Sequence, residues 1–70
     1  MIRELDTVVL TRDVPEHGLE KGDVGAVVHR YEPGRSYEVE FVTAEGKTIA
    51  VLTLTSEDVR LMSGDEILQD

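Results

Sequence analysis

Residues 24–42 read "VGAVVHRYEPGRSYEVEFV", two extended runs joined by a proline–glycine step. Proline presets the first central position of a type II turn, and glycine accepts the positive φ of the second. Glu32–Arg35 is therefore read as the turn of a β-hairpin. With Pro33 and Gly34 as the loop, Arg30 faces Tyr37, His29 faces Glu38, Val28 faces Val39 and Ala26 faces Phe41. One face then holds Ala26, Val28, Tyr37, Val39 and Phe41, and the other holds Val27, His29, Glu38 and Glu40. A half-buried sheet needs such a separation, and a slip of one residue would abolish it.

Working outward, "LDTVVLTRDV" (5–14) is rich in β-branched residues and is read as a preceding strand. The loop "PEHGLEKGD" (15–23) carries turn residues and no helical period. Beyond the hairpin, "TAEGKT" (43–48) is a second turn and "IAVLTLT" (49–55) a fourth strand. Ser56 offers a cap for one helical turn before a short fifth strand, "VRLM" (59–62). The acidic stretch 63–70 is read as a flexible or short helical tail. Residues 1–62 thus form one all-β domain, a small five-stranded SH3-like barrel with a short helical turn before the last strand.

Two registers are open for the second hairpin. A two-residue loop at Glu45-Gly46 pairs Phe41 with Ala50 and Val39 with Leu52. A three-residue loop with Gly46 left-handed pairs Phe41 with Ile49 and Val39 with Val51. Glutamate is a poor residue for positive φ, so the three-residue form is favoured. Ala50, Leu52 and Leu54 then lie on the outer face with Val27 and Val42, to be covered by strand one or by a second chain.

A chain of 70 residues folds around a thin core, and with no cysteine it has neither disulfides nor thiolate metal sites. Such a scaffold needs a well-made core or a partner chain. Fifteen acids stand against seven bases, a net charge of −8, and the bases are spread singly along the chain. Nucleic-acid and anionic-membrane binding both require clustered positive charge, so neither is expected, and any steering favours a basic partner. No apolar stretch approaches the ~20 residues of a membrane span. The N-terminal "MIRELDTVVL" lacks the features of a secretory signal, and a cytoplasmic location is expected.

Catalytic constellations are not evident. Around His17 and His29 no His-x-His or Glu-x-x-His spacing occurs, and His29 is read as the cross-strand partner of Glu38. Glu38 and Glu40 share a strand face, which is read as a solvated face that blocks aggregation. Ser36 and Ser56 adjoin turn signals, and no nucleophile elbow or phosphate-binding loop is present. The chain is expected to be non-enzymatic, with no cofactor and no bound metal. Tyr31 and Tyr37, with Arg30 and Arg35, bracket the "EPGR" turn, and aromatic residues with arginine commonly anchor protein interfaces. Arg30, Tyr31, Arg35, Tyr37 and, on the outer face of strand four, Leu52 are the expected partner-binding residues.

The block "KGDVGAVVHRY", the opening "LDTVVL" and the closing "LTSEDVRL" resemble a family of small acidic bacterial proteins with an SH3-like barrel, carried as a domain of unknown function. The resemblance covers nearly all of residues 3–62 and implies a non-enzymatic, stand-alone bacterial chain. It also implies an accessory or antitoxin-like role beside a neighbouring gene product. The same block is similar, over a shorter span, to the SH3-like barrel of nitrile hydratase β subunits and to KOW motifs. The positive charge that KOW binding to RNA demands is missing here. In all these groups Gly22 or Gly25 is expected to bend the backbone into the strand. The sequence points to a protein-interaction module that binds a protein partner or pairs with itself.

Overall fold

The structure, a computed structural model, describes residues 2–31, 35–42 and 46–62. Short β-branched runs separated by turn residues form five strands: β1 (Thr7–Leu10), β2 (Val24–Tyr31), β3 (Ser36–Val42), β4 (Thr48–Thr55) and β5 (Val59–Leu61). They make one antiparallel sheet in the order β4-β3-β2-β1-β5. The all-β, five-stranded expectation holds. Residues 32–34 of the expected first turn, residues 43–45 of the expected second turn and the whole of the expected tail, 63–70, lie outside the described residues.

β1 is shorter than the run 5–14, because both of its ends turn away. Before it, the Asp6 amide donates to the Arg3 carbonyl at 3.1 Å, and the Arg3 amide donates to Asp6 Oδ2 at 2.8 Å. After it, Val14 and Leu19 form an isolated bridge across a 3-10 turn at Pro15–His17, so the loop is ordered by its own hydrogen bonds. Both residues are buried and plug one end of the core. Gly22 supplies the positive φ of +97° that returns the chain toward β2.

The first hairpin departs from the expected register at one residue. His29 faces Glu38 and Arg30 faces Tyr37, as read from the turn. A β-bulge between Val27 and His29 then pairs Val27, not Val28, with Val39, and Ala26 with Glu40. Val27 is completely buried, whereas Val28 is 45% exposed, so Ala26 and Val28 are not core residues. The bulge is stitched from outside, where Leu5 N–H donates to the Val27 carbonyl at 2.7 Å and Val27 N–H donates to the Asp6 carbonyl at 2.9 Å. It also turns Gly25 inward. Gly25 is not a bend: a Cβ there would lie 2.7 Å from Val39 Cγ1 and 2.8 Å from Phe41 Cε1. The missing side chain is the space those residues fill.

The second hairpin corrects the favoured register. Phe41 pairs with Ala50, Val39 with Leu52 and Tyr37 with Leu54, and a second irregularity brings Val42 opposite Thr48. Gly46 has the expected positive φ, +88°. The extra residue, Ile49, lies between the Phe41–Ala50 and Val42–Thr48 pairs, so the pairing along β4 is not set by loop type alone. Leu54 is buried and Leu52 packs half-buried against the core, while Ile49 and Val51 face outward. β1 does not cover the outer face of β4; it pairs edge-on between β2 and β5.

The turn before β5 is one hydrogen-bonded turn at Ser56–Asp58, closed by Asp58 N–H to the Thr55 carbonyl at 2.9 Å. Thr55 rather than Ser56 supplies the side-chain cap, its Oγ1 accepting from Glu57 N–H at 3.3 Å. Asp58 Oδ2 accepts from the Thr55 amide at 2.9 Å and from its hydroxyl at 3.0 Å, and Oδ1 takes Arg12 Nε at 2.8 Å. This stitch fastens the β4–β5 turn to the end of β1 without a disulfide. The Arg12 hydrogen bond, followed by the bond from the Thr55 amide, holds the Asp58 carboxyl below its ordinary range.

Candidate functional site

Alternation along β2, β3 and β4 sends one set of side chains into the core and the other onto an outer face. Among the described residues that outer face has two parts. Toward the Tyr31 end, His29, Glu38 and Thr53 lie in one cross-strand row. Thr53 Oγ1 donates to Glu38 Oε1 at 2.6 Å, and the Tyr31 hydroxyl makes a longer bond to the same oxygen at 3.3 Å. The His29 and Tyr31 rings meet edge to face with centroids 4.6 Å apart. His29 Nδ1 lies 3.4 Å from Glu4 Oε2, although Glu38 is its neighbour in register. The Glu38 charge, with a smaller contribution from burial, raises the Tyr31 phenol above its ordinary range.

The other part is apolar. Val28, Val42, Ile49 and Val51 are each 45–48% exposed, and the Ala26–Glu40–Val51 row crosses the three strands among them. Glu40 is drawn aside by Thr48 Oγ1, which donates to its Oε2 at 3.0 Å. A β-branched patch next to hydrogen-bonded carboxylates can take an apolar surface carrying positive charge.

The expected partner-binding residues are divided by this geometry. Tyr31 is on the outer face and 41% exposed. Tyr37 is 4% exposed and belongs to the core, and Leu52 is turned inward rather than outward. Arg30, opposite Tyr37, is half-buried on the inner side of the hairpin. Arg35 is exposed, and its carbonyl accepts from Ser56 N–H at 3.2 Å. The hairpin cluster therefore does not form one surface.

The residues missed by the sequence reading are Val28, Ile49 and Val51. A signal for the last two was present: Thr53 and Thr55 share their parity in "TIAVLTLT", and the polar parity of a half-buried strand faces water. Val28 had no such marker. His17 is exposed in the 3-10 turn, far along the chain from the sheet face. Among the described residues, no three histidine or carboxylate side chains are grouped to hold a metal ion. Among the same residues, no helix is long and apolar enough to cross a membrane.

No curated protein and no solved structure matches the chain, so neither the nitrile hydratase nor the KOW similarity finds a counterpart there. The sequence model of one family matches residues 4–61, from the turn before β1 to the last residue of β5. The chain belongs to that family, described as Domain of unknown function (DUF4926).

Proposed function

We propose that this domain is a non-enzymatic protein-interaction module of the bacterial cytoplasm, with the outer face of β2, β3 and β4 as its contact surface. The observation that carries the reading is the exposed group Val28, Val42, Ile49 and Val51 on one sheet face of a very small domain. Large exposed apolar patches on small soluble domains mark association surfaces. Tyr31 at one end of the face supplies an aromatic anchor, and Glu4, Glu38 and Glu40 favour a partner of positive charge. An accessory subunit or antitoxin-like partner of a neighbouring gene product is a special case of this reading. Nucleic-acid binding is disfavoured by a net charge of −8.

The test is capture of host proteins by the tagged chain and by Val28→Lys and Tyr31→Ala variants, with thermal melts run in parallel. The expected result is a captured protein that both variants lose while keeping the wild-type melting temperature. A captured set indifferent to both substitutions would overturn the choice of face.

A further inference from the structure

The two edges of the sheet are built differently. β5 is three residues long and carries Arg60, the short charged edge that prevents pairing with other chains. β4 runs for eight residues, "TIAVLTLT", with neither charge nor proline. Among the described residues it pairs only with β3. Its free backbone groups can be assigned from the ladder. Ser56 N–H donates to the Arg35 carbonyl, so Arg35 and Ser56 form a hydrogen-bonded pair. Such pairs alternate along an antiparallel ladder, so Leu54 and Leu52 bond to β3 while Val51, Thr53 and Thr55 direct N–H and C=O away from it. Asp58 Oδ2 already accepts the Thr55 amide. Val51 and Thr53 are left.

We infer that β4 is the seam of a two-fold dimer, in which the β4 strands of two copies pair antiparallel into one continuous sheet. This rests on reading the domain as an interaction module and names a second copy of the chain as the occupant of the edge. The two-fold register that uses both free residues of both copies sets Val51 opposite the partner's Thr53. It also brings Leu52 opposite the partner's Leu52. Leu52 is half-buried, and a second β4 covers the side that this chain leaves open. Ile49 and Val51 continue the apolar outer face across the seam.

Two features favour a second copy. The edge carries no charge that would repel itself. The outer-face carboxylates Glu38 and Glu40 belong to β3, one strand back, and are held by hydrogen bonds from the Thr53 and Thr48 hydroxyls of β4. Salt screens the repulsion between these carboxylates and their copies, so the dimer is expected to tighten as ionic strength rises. The two-fold also consumes both β4 edges and leaves only the blunted β5 edges, so assembly stops at two.

Sedimentation of the full chain between about 1 μM and 1 mM tests this, since a single strand pairing is a small interface with weak affinity. The expected result is a monomer–dimer equilibrium that Val51→Pro weakens about tenfold or more by removing an outward N–H. Thr53→Lys, whose side chain is exposed, should weaken it likewise, while Val28→Lys leaves it intact. Thermal melts confirm that each variant folds, and Thr53→Lys decides the matter should Val51→Pro not fold. A wild-type chain still monomeric at the highest concentration, or a dimer unaffected by the edge substitutions, overturns the seam. Val28-dependent capture of a host protein without a dimer would sink the seam alone and leave the interaction-module reading standing.

Discussion

Phe41 packs against the bare backbone of Gly25: a methyl group on Gly25 would fall 2.8 Å from Phe41 Cε1, inside any real carbon–carbon contact. Phe41 is among the largest fully buried side chains, so the core is organised around a glycine on the neighbouring strand. Gly25→Ala is expected to cost about 1–3 kcal/mol in urea unfolding, the usual range for overpacking. Phe41→Leu in the same chain should recover part of that loss, a coupling that a double-mutant cycle measures. Purely additive costs would show that the two positions do not meet.

The bulge makes adjacent valines unequal. Val27→Ala removes a completely buried side chain, and a loss of about 1.5–3 kcal/mol is expected. Val28→Ala should change stability by no more than about 0.5 kcal/mol. Chemical denaturation of both variants checks this, and the reverse ranking would restore the uninterrupted register.

Leu5 holds a φ of +74° and is 85% exposed. The left-handed region costs a side-chain-bearing residue roughly 1–2 kcal/mol, while glycine brings a smaller entropic loss from the unfolded chain. Leu5→Gly should therefore raise stability by about 0.5–1 kcal/mol, read as a higher melting temperature. A lower one would mean that the Leu5 side chain is packed.

Asp58 gives the fold a defined acid sensitivity. Its carboxyl is depressed in the folded state, mainly by the Arg12 hydrogen bond and then by the Thr55 amide. The stabilisation is complete above the unfolded aspartate value of about 3.9 and is lost as pH falls through the lower folded value. Asp58→Asn should cost about 1–2 kcal/mol at neutral pH, from lost charge-assisted hydrogen bonds. Urea melts from neutral pH to below 3.9 should show the gap to wild type closing only at the acid end. A gap independent of pH would rule out the Asp58 charge as its source.

Tyr31 reports on the outer face. Its phenol titrates above the ordinary range because the Glu38 charge opposes formation of the phenolate. Glu38→Gln should bring it down, as followed by NMR titration of ring-labelled tyrosine. An unmoved Tyr31 would separate the two side chains.

The legible parts of this protein were those with polar markers. "SYEVEFV" alternates strictly, and β3 spans those residues with Tyr37, Val39 and Phe41 inside. The rows nearest the first turn, His29–Glu38 and Arg30–Tyr37, also followed from local chemistry. In "VGAVV" no polar residue distinguishes the faces, and the inward choice of Val27 was not readable. Leu52 and Tyr37 entered the expected binding surface because each is a good interface residue, and packing directed both inward.

What the sequence determined by itself was the all-β class, the number of strands and the positions of most of them. Those depend on short-range properties: β-branched runs, glycine at positive φ and alternation within a single strand. The tertiary structure alone decided where one extra residue enters a ladder. A bulge costs little locally but reverses which side chains face the core on one side of it. Its place is selected by contacts made elsewhere, here the Leu5 and Asp6 bonds to Val27 and the space Gly25 leaves for Phe41. The exposure of Val28 on the outer face follows from those contacts.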